Sequence, residues 1–121
     1  MSFNIANKVV FITGANRGIG KSITEHFIDQ GAKKVYLAVR NPNSTKALEE
    51  KYGEKVETIQ VDITDEVSIL EAAKKATDVD VVINNAGVIS TVSPLADNAL
   101  DTLKEEMDVN VYGLMRVAKA F

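Results

Sequence analysis

A strand-like run that breaks into a glycine turn and then a helix leaves a chain few ways to fold. Lys8–Thr13 (Lys-Val-Val-Phe-Ile-Thr) is a continuous β-branched and aromatic run that ends directly on Gly14-Ala15-Asn16-Arg17-Gly18-Ile19-Gly20. Beyond it, Ile19, Ile23 and Phe27 recur at i, i+4 and i+8, one apolar stripe of a helix spanning Gly18–Gly31. A chain leaving a strand here must turn sharply and start a helix whose positive end and free backbone N–H groups face the turn. That combination suits two linked phosphates. Gly14, Gly18 and Gly20 answer to turn geometry, close backbone approach and helix–sheet packing.

The rest of the chain repeats the strand–helix alternation. Lys34–Val39 reads as a second strand, Pro42–Tyr52 as a short polar helix and Val56–Val61 as a third strand. Asp65 caps a helix through about Ala76, with Val67, Leu70 and Lys74 on one face. Asp80–Asn84 is the fourth strand, and Leu100–Ala120 is helical with a break near Asp108–Asn110. A loop interrupted by Gly87, Ser90, Ser93 and Pro94 joins them, from Ala86 to about Asn98. Strands 1, 2 and 4 are nearly all apolar, as when helices cover both faces of a parallel sheet. The expected fold is α/β: a Rossmann-like, doubly wound parallel sheet of spatial order 3-2-1-4. Residues 1–121 are expected to form a single domain, one suited by its glycine turn to bind a dinucleotide.

Composition narrows the partners. The 14 Lys+Arg and 17 Asp+Glu are scattered and leave a net charge of −3, so no broad basic surface offers itself to nucleic acid or anionic lipid. With no cysteine and a single histidine, His26, no metal site is expected. The first residues lack a basic and apolar leader, and no apolar run approaches the roughly 18 residues of a membrane span. A cytoplasmic protein is the expectation.

Three further motifs follow in order. Asp62 and Ile63 end the third strand in Val-Asp-Ile-Thr, Asn84-Asn85-Ala86-Gly87 ends the fourth, and Asp108-Val109-Asn110-Val111-Tyr112-Gly113 falls in the last helix. Together with the Thr-Gly-x-x-x-Gly-x-Gly turn, this set resembles the short-chain dehydrogenases/reductases, in their compact subgroup. The resemblance implies a nicotinamide dinucleotide held by Gly14, Asn16, Arg17, Gly18, Ile19 and Gly20. It adds Asp62 and Ile63 near the adenine, and Asn84, Ala86 and Gly87 along the ribose. Asn110 is then the first member of the catalytic tetrad. The implied activity is hydride transfer to or from a small carbonyl or alcohol substrate, usually in a homo-oligomer.

The cofactor form can be read from charge. An NAD-selective site needs a carboxylate near the end of strand 2; this strand is followed by Arg40, and Arg17 supplies a second cation in the turn. Both features point to NADP(H) over NAD(H). The family's serine and Tyr-x-x-x-Lys are missing: Tyr36 and Tyr112 are followed at that interval by Arg40 and Arg116, and Tyr52 by Lys55 one residue too early. The chain is therefore expected to be the N-terminal half of a longer enzyme, binding cofactor without catalysing. The alternative is a non-enzymatic dinucleotide-binding or self-association module. The final helix is expected to expose Val109, Val111, Leu114, Val117 and Phe121, favouring association.

Overall fold

The computed structural model describes residues 2–90 and 92–121; Met1, and Thr91 within the long loop, lie outside the described residues. Four strands, β1 (Val9–Thr13), β2 (Lys34–Val39), β3 (Val56–Gln60) and β4 (Val81–Ile83), form one sheet of order β3-β2-β1-β4. Every pairing is parallel, and the register sets Val10 between Val35 and Val81 and Ile12 between Leu37 and Ile83. The strands are joined by α1 (Gly18–Asp29), α2 (Lys46–Tyr52) and α3 (Glu66–Lys75). The chain closes with α4 (Ala99–Met107), a π-helical turn (Asp108–Gly113) and α5 (Leu114–Ala120).

Alternation along the buried strands splits the core in two. Phe11, Tyr36, Ala38 and Ile59 pack with Ile69 and Ala72 of α3 and Val117 of α5. Val10, Ile12, Val35 and Leu37 pack on the other face with Ile28 of α1 and Leu48 of α2. The doubly wound expectation holds, and β4 is its thinner edge: all three of its residues are half-buried.

Several local expectations need correcting. The inward face of α1 is Gly20, Thr24 and Ile28. Of the Ile19–Ile23–Phe27 stripe, Ile23 and Phe27 are partly buried against the core, while Ile19 is 73% exposed. Those three side chains line a shallow apolar groove with Ile83 of β4. On α3 the buried residues are Ile69 and Ala72, followed by the cap residue Ala76, whereas Val67 and Leu70 are exposed. Both shifts have one cause: a strongly apolar residue on the outer face mimics the stripe, while small residues sit where helix and sheet come closest. The Pro42–Tyr52 segment is a 3-10 turn (Pro42–Thr45) and then α2, because the Asn41 side chain accepts the Asn43 N–H and fixes a tight start. Val117 is fully buried rather than exposed and Val109 is partly buried against the core, whereas Phe121 is exposed as expected at 38%, its ring tilted 37° to that of Phe11 with centroids 4.4 Å apart. The cap on α3 is as expected: the Asp65 carboxylate accepts from the Val67 N–H at 3.1 Å. Among the described residues no helix is long and apolar enough to cross a membrane.

Candidate functional site

The strand order reverses between β1 and β4, and in such sheets the crevice at the carboxyl ends of the strands is where ligands sit. An open cleft of about 540 Å3 lies there. Its floor is built by Thr13, which is 2% exposed. The Thr13 hydroxyl oxygen accepts the backbone N–H groups of both Asn85 and Ala86 at 3.0 Å. The Asn85 amide returns two donor contacts, to the carbonyls of Thr13 at 3.2 Å and Gly14 at 3.1 Å. β1 and the chain leaving β4 are thereby locked side by side.

The glycines divide the work by geometry. Gly14 (φ +66°) and Gly18 (φ +54°) both lie in the left-handed region that side chains resist. A Cβ at Gly18 would meet no protein atom within 4 Å, so that position opens on free space. A Cβ on Gly20 would stand 2.2 Å from the Gly14 carbonyl oxygen. Gly20 therefore sets how closely α1 seats on the turn and does not line the cleft. The N-cap residue of α1, Arg17, is extended and makes no side-chain cap bond. The first N–H groups of this 12-residue helix are left without a capping side chain beside the cleft. Bare helix N–H groups, a turn without side chains and open space beside it are what a pyrophosphate needs, so the residues present fit that group.

Ten of the twelve residues expected to hold a cofactor line this cleft. Gly14, Asn16, Arg17, Gly18 and Ile19 come from the turn, Arg40 from the end of β2, Asp62 and Ile63 from beyond β3, and Ala86 and Gly87 from beyond β4. Gly20 and Asn84 do not; Asn84 is exposed, and Asn85 occupies the wall instead. Thr13, Ala38, Val39, Asn41, Val61, Thr64, Val88 and Val109 also line it without having been singled out. Thr13, Val61, Thr64, Asn85 and Val109 stood inside motifs already visible in the sequence; Ala38 and Val39 are strand-end residues whose apolar character reads as core, and Asn41 and Val88 carried no signal of their own.

Asp62 is held as a carboxylate. Its oxygen accepts the Thr64 hydroxyl at 2.7 Å and the Thr64 N–H at 2.9 Å. These bonds, the hydroxyl foremost, hold its pKa below the ordinary 3.8 against partial burial, with lesser help from Arg40 and Arg116. Asn110 lies outside the cleft lining. Its side-chain oxygen accepts the Val88 N–H at 2.8 Å and its amide donates to the Val88 carbonyl at 2.6 Å, fixing the backbone that follows Gly87. Tyr36 is remote from this chemistry: its hydroxyl donates to Asp78 and accepts from Lys34. Tyr112 is half-exposed on the π-helical turn. Among the described residues no cluster of three or more His, Asp or Glu could hold a metal ion.

This sheet order, with helices on both faces, defines a Rossmann-like, doubly wound α/β protein. The chain belongs to the short-chain dehydrogenase family, whose profile matches residues 8–121. An oxidoreductase of Botryotinia fuckeliana is 35% identical over 118 residues, covering 93% of this chain and 42% of that protein. A short-chain dehydrogenase from Burkholderia cenocepacia, solved in complex with NADP, superposes with a TM-score of 0.89 at 32% identity. It is matched over 98% of this chain and 48% of its own. A 3-ketoacyl-(acyl-carrier-protein) reductase from Brucella melitensis, complexed with NADH, gives 0.86 at 25% identity, with 95% and 48% covered. The chain thus spans about half the length of the relatives it matches.

Proposed function

We propose that this chain is the cofactor-binding domain of an NADP(H)-dependent oxidoreductase acting on a small carbonyl or alcohol. The observation that carries the reading is the cleft itself, with an uncapped helix terminus and two arginines on its rim. Arg17 and Arg40 both line it, and among the described residues neither forms an ion pair with a carboxylate. Gly14, Gly18, Asn16 and Ile19 would receive the pyrophosphate, and Ala86 and Gly87 the ribose beside the nicotinamide. Asp62 and Ile63 would bound the adenine, and Arg17 and Arg40 a 2′-phosphate. The bound dinucleotide supplies a hydride at its nicotinamide ring. Asn110 acts through the backbone at Val88 and so shapes the substrate side of the cleft.

Proton delivery is a different matter. The 121 residues hold no Tyr-x-x-x-Lys. Of the tyrosines at the corresponding interval from an arginine, Tyr36 is committed to Asp78, and its hydroxyl is pushed above its ordinary pKa by burial and by that carboxylate. Cofactor binding without turnover is the expected behaviour of this chain alone.

A guanidinium–phosphate contact contributes about 1.5–3 kcal/mol, roughly one to two decades in affinity. In a fluorescence titration, Arg40→Asp should weaken NADPH binding by about that much and leave NADH binding nearly unchanged. Equal losses for both cofactors would remove Arg40 from the 2′-phosphate, and no binding of either by the native chain would remove the reading altogether.

A further inference from the structure

We infer that Arg116, on the far helix and outside the cleft, is the positioning residue for the cleft wall at Asp62–Thr64. Resting on the dinucleotide reading above, the inference adds a residue that holds the adenine-side wall in place without touching the ligand.

Arg116 lies on α5, 53 residues from Ile63 in sequence, yet its Nη1 donates to the Ile63 carbonyl at 3.0 Å. The same nitrogen reaches the Asp108 carbonyl at 3.3 Å, and Nη2 pairs with the Asp108 carboxylate at 2.6 Å. Three contacts from one guanidinium fix it in a single pose, which a flexible ammonium could not reproduce. Helical side chains lean toward the N-terminus, so Arg116 reaches back along its own helix to Asp108.

The π-helical turn between them completes the clamp. It presents Gly113 to the Ile63 side chain so closely that a Cβ would stand 2.9 Å from the Ile63 Cδ1. Ile63 is thus gripped twice, at its carbonyl by Arg116 and at its side chain by the bare backbone of Gly113. It is 8% exposed, and its neighbours Asp62 and Thr64 line the cleft with it. The Ile63 side chain also packs in the core, but the segment's other hydrogen bonds are local: Thr64 to Asp62, the Asp62 N–H to the Ser68 hydroxyl, and the Asp65 N–H to the Asp62 carbonyl. Those ties shape the turn. Among the described residues, the Arg116 bond is the one that ties its backbone to a distant element.

The test has two arms on the 121-residue chain, with Arg116→Ala and Arg116→Lys. In the first, amide hydrogen exchange is measured without ligand. Arg116→Ala should speed exchange at the amides of residues 62–65 by about tenfold while Asn85 and Ala86, held by Thr13, are unchanged. A uniform rise across the sheet, or none at residues 62–65, overturns the inference. In the second arm, adenosine 2′,5′-bisphosphate is titrated as a probe of the adenosine half. Affinity should fall by about tenfold in Arg116→Ala and be only partly restored by Arg116→Lys. Faster exchange with unchanged affinity also overturns it. If the native chain binds neither this probe nor NADPH, the dinucleotide reading fails, and the exchange arm still decides whether Arg116 anchors the wall.

Discussion

Two glycines four or fewer residues apart can be required for opposite reasons, and Gly18 and Gly20 separate them. At Gly18 the constraint is the backbone, since φ is +54° and a methyl group would point into empty space. At Gly20 the constraint is the Gly14 carbonyl oxygen, a backbone atom that would lie 2.2 Å from an added Cβ. Gly18→Ala should therefore cost about 1–2 kcal/mol, the ordinary price of left-handed backbone. Gly20→Ala should cost more, about 3 kcal/mol or above, because overpacking cannot relax. Urea midpoints measured on both variants test the order, and a Gly20→Ala midpoint at or above that of Gly18→Ala contradicts it. The turn was fully legible in the sequence; this division of labour was not, because spacing alone does not say which glycine meets protein and which meets space. Asn84 and Asn85 make the same point. Adjacent identical residues alternate direction, and only the hydrogen bonds to Thr13 and Gly14 select Asn85.

At the scale of elements, strand order, the strand–helix alternation and the Asp65 cap could be read from pattern, but helix rotation could not. An apolar stripe marks a buried face only when the opposite face is polar. On α3, Val67 and Leu70 compete with Ile69, Ala72 and Ala76, and the sheet takes the face with alanines because it permits closer approach. Ile69→Ala should accordingly cost about 2–5 kcal/mol. Val67→Lys, at a side chain 66% exposed, should stay within about 0.5 kcal/mol. Thermal unfolding of the two variants decides between the faces: a larger loss from Val67→Lys would restore the sequence-based one. The break near Asp108–Asn110 was visible as a polar interruption, yet its form depended on contacts distant in sequence. A π turn lets Gly113 meet Ile63 while Asn110 meets Val88, and no local propensity encodes that pair of demands.

For the whole molecule, charge and exposed surface set how it responds to its surroundings. Asp62 and Asp78 both have folded pKa values below the ordinary 3.8, Asp62 chiefly through the Thr64 hydroxyl and Asp78 chiefly through the Tyr36 hydroxyl. A depressed carboxyl pKa gives stability that is present above 3.8 and lost as pH falls through the folded value. Tyr36 is raised above 10.0, first by burial and then by Asp78, so its contribution is complete below 10.0 and lost as pH rises through the folded value. Urea midpoints should hold between these limits and decline at both ends, and Tyr36→Phe should flatten the alkaline limb; an unchanged alkaline slope would falsify the assignment. Association is the second response. Leu100, Leu103, Met107, Val111 and Leu114 recur at steps of three and four along α4 to α5 and are between 37% and 73% exposed. Large apolar side chains exposed at that spacing are the ones expected to associate. β4, with three half-buried residues, offers far less. Self-association should therefore run through the helices: sedimentation equilibrium should find a dimer at high micromolar concentration, and Leu103→Glu with Leu114→Glu should return a monomer of unchanged circular dichroism. Proline at Val82, which blocks edge pairing, should leave the dimer intact. A native chain that stays monomeric would mean that flanking Asp101, Lys104 and Glu105 keep this face solvated, and a dimer lost only with the proline would move the contact to the sheet edge.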